Sequence, residues 1–127
     1  MSKLVVDASV LLAVLLNEES TKEVERLLSS SVMSAVNFSE VAAKLADIDM
    51  SEKKIREILE SLPIEVYPFD KKQAYISGLL RPITKSRGLS FGDRACLSLG
   101  MLLKSSVVTM DKAWKNLNIG VEIKVLR

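Results

Sequence analysis

The sequence predicts an α/β protein with a central parallel sheet. Short apolar runs of strand length alternate with longer segments of helical periodicity, and no hairpin turn signal joins neighbouring strands. That alternation favours parallel strands connected by right-handed crossovers through helices. The first strand, Leu4–Val6, has no polar alternation, which is typical of a strand buried on both faces of a parallel sheet. Because 127 residues is the length of one domain, we expect residues 1–127 to form a single domain.

In the first half of the chain, polar residues mark the predicted starts of helices. Ser9 is a possible cap for a helix that runs to Leu16, and Asn37 for an amphipathic helix that follows it. Ser51 is predicted to cap a further helix, which Pro63 ends. The other elements predicted here are a helix over residues 18–29 and strands over residues 32–34 and 64–67.

In the second half, one long helix dominates the pattern. Ser90 is predicted to cap it, and it runs to about Leu103 with apolar residues almost all round, so we expect it to be central and buried. A shorter helix precedes it and is interrupted at Arg81-Pro82. The remaining elements are that helix over residues 70–80, a strand over 107–109, a short helix over 111–117 and a final edge strand over 121–126.

The composition excludes several kinds of chemistry. The chain has no histidine, which excludes Ser-His-Asp and Cys-His catalysis and zinc sites built on imidazole. Its single cysteine, Cys96, excludes an internal disulfide and favours a reducing compartment. The net charge of +2 is too small to indicate a nucleic-acid partner by itself. Asp7 interrupts the apolar N-terminal run, and no stretch is long enough to span a bilayer, so we expect a cytoplasmic protein with no membrane partner.

Four acidic residues stand at strand ends or in first turns of predicted helices: Asp7, Glu40, Asp93 and Asp111. Each also has a structural interpretation. Glu40 and Asp93 each lie three residues after a cap residue, which fits a capping box, and Asp111 fits an N-cap. Asp93 fits this interpretation least well, because a carboxylate on a buried helix needs a partner and Arg94 beside it points elsewhere.

In a parallel α/β sheet these four positions share one edge, where ligands usually bind. Carboxylates that converge repel each other unless a cation lies between them. Oxygen ligands without His or Cys suit Mg²⁺ or Mn²⁺, which bind a few carboxylates together with substrate phosphate. The residues therefore favour the hypothesis of metal-assisted phosphodiester hydrolysis.

The motifs around these acids resemble those of a known family. The sequence is similar to the PIN-domain ribonucleases, and most closely to the VapC toxins of toxin–antitoxin pairs. Four motifs in this order and spacing are specific, where one alone would be weak. They are VVDAS at residues 5–9, SAVNFSEV at 34–41, GLSFGDRACL at 88–97 and VTMDKAW at 108–114.

The resemblance implies a site, a fold and partners. It assigns the four acids to the family's metal-binding quartet, and Ser9 and Thr109 to hydroxyl positions that support the metal's water network. It implies a three-layer α/β/α sandwich, a homodimer and a cognate antitoxin that inhibits the enzyme. The expected reaction is attack of a metal-activated water on an RNA phosphodiester, which leaves 5′-phosphate and 3′-hydroxyl ends. One or two Mg²⁺ or Mn²⁺ ions are both compatible with the quartet.

Basic residues near the predicted site are candidates for contacts with RNA phosphates, although ordinary solvated charges are an equal alternative. We expect Trp114 to pack in the protein rather than stack on a base, and Cys96 to be a core residue. The candidate RNA-binding residues are Arg81, Lys85, Arg87, Arg94 and Lys112.

Three other interpretations compete with the toxin. A receiver-like signalling domain would need paired acids after the first strand, but Ala8 follows Asp7. A catalytically silent binding module on the same fold is disfavoured by the intact quartet. A housekeeping RNA-processing nuclease without an antitoxin would have much the same sequence.

Overall fold

A parallel sheet forms the centre of the protein in a computed structural model that describes residues 3–16 and 26–126. All four strand pairings within the described residues are parallel. The strands are, along the chain, β1 (Leu4–Val6), β2 (Ser31–Ser34), β3 (Glu65–Tyr67), β4 (Val107–Thr109) and β5 (Ile123–Val125). Their order across the sheet is β3-β2-β1-β4-β5, so β1 is central and β5 lies at an edge, as predicted.

Helices connect the first four strands in succession and cover both faces of the sheet, which confirms the predicted α/β class and its three layers. Pro82 lies in the first turn of a short separate helix, where its missing N–H costs nothing. Two 3₁₀ turns, Lys85–Arg87 and Lys112–Trp114, complete the described elements. The helices are α1 (Ala8–Leu15), α2 (Ala35–Asp47), α3 (Glu52–Glu60), α4 (Lys71–Leu79), α5 (Arg81–Thr84) and α6 (Phe91–Leu103).

Successive valines of β1 point to opposite faces of the sheet and enter two separate cores. Val6 packs in a cluster with Leu11 of α1 and Val41 of α2. Val5 packs in the other cluster with Leu97 of α6. The unbroken apolar character of β1 therefore follows from burial on both faces.

The strand register places the candidate residues at one edge. Val6 is aligned with Val108 across the β1–β4 pair, so the chain leaves both strands side by side, at Asp7 and near Asp111. On the other side of β1, β2 runs directly into α2 after Ser34.

Among the described residues, no helix has the length and apolar character that crossing a membrane requires.

Two predicted caps are wrong. The cap of α1 is Asp7, whose side chain accepts a hydrogen bond from the Val10 amide, and Ser9 lies inside the helix. The cap of α2 is Ser34, whose hydroxyl accepts from the Val36 amide, and Asn37 lies in the helix and is buried. Both helices begin immediately after a strand, so the residue at or directly after the end of each strand becomes the N-cap.

The other predicted elements are found with small shifts at their ends, with two exceptions. Asp111 does act as a cap, but the predicted helix over residues 111–117 is only the short 3₁₀ turn Lys112–Trp114. The predicted helix over residues 18–29 lies mostly outside the described residues, of which 26–28 are helical.

Candidate functional site

Asp7 lies at the carboxyl end of the central strand, and only 5% of its surface is exposed. Its Oδ1 accepts hydrogen bonds from the Ser9 hydroxyl (2.6 Å) and the Val10 amide (3.2 Å). Its Oδ2 accepts from the Thr109 hydroxyl. The donors to this buried carboxylate are therefore uncharged.

Burial raises the pKa of Asp7 to about 6, because an ionised carboxylate loses its hydration there. The hydrogen bonds from Ser9, Thr109 and Val10 lower that pKa, and the nearby charge of Asp93 raises it. A cation at this carboxylate would offset the cost of burying its charge.

The two hydroxyl groups that contact Asp7 also fix the chain near Asp111. Ser9 Oγ accepts a hydrogen bond from the Met110 amide, and Thr109 Oγ1 accepts one from the Asp111 amide, both at 3.0 Å. Each hydroxyl thus donates to the Asp7 carboxylate and accepts from a backbone amide directly after β4. Ser9 and Thr109 join the ends of β1 and β4 through side chains.

Glu40 projects from α2 and is held by a buried amide. Asn37 Nδ2 donates to Glu40 Oε1 at 2.8 Å and to the Gly92 carbonyl at 3.0 Å. Only 1% of the surface of Asn37 is exposed. One side chain therefore ties the carboxylate on α2 to the first turn of α6, directly before Asp93.

Asp93 forms the predicted capping box with Ser90. Its Oδ2 accepts from the Ser90 amide at 2.8 Å, while its own amide donates to the Ser90 hydroxyl at 3.2 Å. The side chain is half-buried. Burial raises the pKa of Asp93, the hydrogen bonds with Ser90 lower it, and the charge of Asp111 raises it. Capping occupies one carboxylate oxygen, so it is compatible with a second role for the other.

Asp111 is more exposed than the other three acids. Its Oδ1 accepts a hydrogen bond from the Ala113 amide at 2.9 Å, which caps the turn Lys112–Trp114. Its negative charge raises the pKa of Asp93, so the two carboxylates interact electrostatically although they belong to different elements.

The buried thiol of Cys96 lies within the electrostatic influence of three of the acids. Burial raises the pKa of this thiol well above its ordinary value, and the negative charges of Asp7, Asp93 and Glu40 raise it further. Each of the three carboxylates therefore acts electrostatically on the same buried thiol of α6. Cys96 itself is fully buried, as expected for a core residue.

The four carboxylates offer the oxygen ligands that a divalent ion binds. In the structure they do not form a closed chelating group. The ion pairs seen within the described residues, Lys3–Glu65 and Arg56–Glu52, include none of the four acids. In the described part of the chain, no three Asp, Glu or Cys side chains lie close enough to form a chelating group. Mg²⁺ keeps several waters and is often bound through one or two carboxylates, so it does not need such a group.

The basic candidates differ in how their side chains are used. The Arg87 guanidinium donates to three backbone carbonyls, the shortest at 2.6 Å to Lys115, and the Arg94 guanidinium donates to the Ser77 carbonyl at 3.0 Å. Arg81, Lys85 and Lys112 are exposed. Trp114 is fully buried, so it packs in the core as expected and is not available to a base.

Two residues at the site were not predicted as part of it. The sequence pattern predicts Asn37 only as a helix cap and gives Gly92 no role. The contact between them joins positions 55 apart in the chain. The sequence signal that was available is the glycine in a first helical turn, which often marks a close approach of another group.

Comparisons with known proteins agree with this fold. A family model described as PIN domain matches residues 4–119. DNA-bound VapBC from Salmonella typhimurium is similar, with a TM-score of 0.76, 20% identity and coverage of 98% of each chain. FitAcB from Neisseria gonorrhoeae is similar with a TM-score of 0.69 and 20% identity, and the match covers 95% of this chain and 96% of that one. A toxin–antitoxin complex from Klebsiella pneumoniae is similar with a TM-score of 0.67 and 18% identity, and the match covers 96% of this chain and 100% of that one. No curated protein shows significant sequence similarity.

Proposed function

The chain belongs to the PIN-domain family, whose model matches residues 4–119, and we propose that it is a metal-dependent endoribonuclease. The observations that support the proposal are hydrogen bonds that hold the acids at neighbouring element ends. Ser9 and Thr109 donate to the Asp7 carboxylate where β1 ends. Asn37 donates both to Glu40 and to the Gly92 carbonyl, directly before Asp93. The ion pairs of the described residues leave these charges uncompensated. We propose that residues 1–127 act as one nuclease domain in the cytoplasm.

Asp7, Glu40 and Asp93 would hold one Mg²⁺ or Mn²⁺ ion, directly or through water, and Asp111 would complete the site or serve a second ion. When bound, the metal would supply an activated water and stabilise charge on the leaving oxygen. Ser9 and Thr109 orient the Asp7 carboxylate through their hydroxyl groups. Asn37 orients Glu40.

The substrate proposed here is RNA, and the expected products carry 5′-phosphate and 3′-hydroxyl ends. Analysis of the ends tests this chemistry, because attack by water cannot generate a 2′,3′-cyclic phosphate. A cyclic phosphate on the product would contradict the proposed mechanism.

Basic residues beside the site would contact RNA phosphates. Arg87 and Lys112 belong to neighbouring segments, because the Arg87 guanidinium reaches the carbonyls of residues 113–116. If these side chains bind phosphates, removing one should reduce the salt dependence of RNA binding by about one phosphate contact. An unchanged slope would count against that residue. The residues proposed for this role are Arg81, Lys85, Arg87, Arg94 and Lys112.

We propose that the protein is the toxin of a VapBC-type pair, and that it forms a homodimer and binds a cognate antitoxin. The support is similarity in fold to VapBC from Salmonella typhimurium and to a toxin–antitoxin complex from Klebsiella pneumoniae. Co-expression with the product of a small adjacent reading frame tests this. A toxin should co-purify with that product and lose its activity, whereas a housekeeping nuclease should do neither.

A further inference from the structure

A cleft lies directly beside Glu40, on the side of the site away from β4. Its volume is about 750 Å³. One wall is formed by the first two turns of α2, including Ser39 and Glu40, and the opposite wall is the first turn of α6. Pro68 and Phe69, which follow β3, close the third side. The cleft therefore continues the candidate site along the carboxyl edge of the sheet.

The wall on α6 presents an aromatic ring to solvent. Phe91 is the first residue of that helix and 51% of its surface is exposed, only two positions from Asp93. Its ring is perpendicular to that of Phe69, with centroids 5.5 Å apart. The Arg94 guanidinium lies 5.9 Å from the Phe91 ring centroid. These contacts fix the orientation of the Phe91 ring and leave about half of the residue exposed to solvent.

The charges around the cleft indicate which part of a nucleotide it would accept. No lysine or arginine lines it, and Glu40 is its single charged lining residue among those described. A phosphate would be repelled by that carboxylate, whereas an uncharged, flat group would be accepted by the aromatic and apolar walls. A nucleobase has those properties, and any base can stack on an aromatic face.

We propose that this cleft binds one nucleobase of the RNA substrate, stacked on Phe91, next to the phosphate that is cut. The inference rests on the proposed function, because the RNA phosphate at the carboxylates determines which base can reach the cleft. Phe91 then contributes affinity that depends on the base and not on the backbone. The Phe91 ring is the stacking surface, and the edge contact with Phe69 and the Arg94 guanidinium hold that ring in place.

The experiment compares two fluorescent probes in EDTA, so that neither is cut. One is oligoadenylate, and the other is an abasic ribose-phosphate oligomer of equal length and charge. Phe91→Leu removes the aromatic face but keeps an apolar side chain, and Phe91→Tyr keeps the face. Tyr75→Leu is the matched control, because Tyr75 is an exposed aromatic residue on α4 that does not line the cleft.

Phe91→Leu should weaken oligoadenylate binding about fivefold or more and leave binding of the abasic oligomer unchanged. Phe91→Tyr and Tyr75→Leu should bind both probes as the wild type does. Equal affinity of the wild type for the two probes, or equal loss on both in Phe91→Leu, would overturn the inference. If the wild type nevertheless cuts RNA in Mn²⁺, only the base site fails. If it neither binds nor cuts RNA, the proposed function fails as well.

Discussion

Gly92 leaves the space that the Glu40 carboxylate occupies. A Cβ atom built at position 92 would lie 2.6 Å from Cδ of Glu40, which is closer than such atoms approach in proteins. The carbonyl of Gly92 also accepts a hydrogen bond from Asn37, the residue that binds Glu40. The absence of a side chain at position 92 thus allows a carboxylate on α2 to approach the first turn of α6.

The first prediction concerns this space. Gly92→Ala should displace Glu40 and lower Mn²⁺ affinity and RNA cleavage by about 10- to 100-fold, as observed when supporting contacts around metal ligands are lost. Gly78→Ala is the control, because a Cβ there meets nothing within 4 Å. It should leave activity unchanged and stabilise α4 by up to about 1 kcal/mol. Equal cleavage by the two variants would show that the position of Glu40 is unimportant.

The second prediction concerns Asn37. Asn37→Asp keeps the shape of the side chain but removes the N–H donor and places a second carboxylate beside Glu40. We expect it to destabilise the fold by about 2 kcal/mol, because a buried polar group loses its partners. Mn²⁺ affinity should fall as well. The exposed Asn118→Asp makes the same chemical change elsewhere, so similar melting temperatures for both variants would contradict the role given to Asn37.

The third prediction concerns the pH dependence of stability without metal. The pKa of Asp7 is about 6 in the folded protein and about 4 when unfolded, so the folded state binds the proton more tightly between these values. Stability contributed by this group should therefore decrease as pH rises from about 4 to about 6. By neutral pH the loss should reach roughly 3 kcal/mol.

Denaturant unfolding of the wild type and Asp7→Asn in EDTA measures this loss. Asp7→Asn should be the more stable protein at pH 7, and the difference should shrink toward pH 4. Mn²⁺ should stabilise the wild type at pH 7 and have little effect on the variant. A difference that does not change with pH would contradict the burial effect on Asp7.

The fourth prediction concerns Arg87, which bonds to the carbonyls of the turn after Asp111. Arg87→Gln should destabilise the protein by about 1 kcal/mol and increase the exposure of Trp114, which that turn contains. Trp114 is the only tryptophan, so its fluorescence reports on this segment alone. Arg81→Gln removes the same charge from an exposed side chain and should leave the emission unchanged. Identical spectra in both variants would exclude a structural role for Arg87.

The positions of Asp7, Asp93 and Asp111 could be predicted because each is local to a strand end or to a helix start. The parallel order of the strands then brings those ends to one edge. Glu40 lies one turn deeper in α2 than predicted, because Ser34 and not Asn37 caps that helix. The role of Asn37 could not be predicted in this way, because it depends on where β2 ends and on a carbonyl of α6. The exposure of Phe91 was also not predicted. The apolar pattern places α6 in the interior, but its first residue extends beyond the elements that cover the rest.

The central claim is most directly tested by cleavage of a structured RNA in Mn²⁺ by the wild type, by Asp93→Asn and by Asp70→Asn. Asp70 caps α4, accepting from the Gln73 amide, so its variant controls for loss of a charged capping side chain. We predict that the wild type and Asp70→Asn cut, that EDTA stops both, and that Asp93→Asn is slower by more than about 100-fold. Cleavage that persists in EDTA, or that is equal in Asp93→Asn, would contradict a metal-dependent site at these carboxylates.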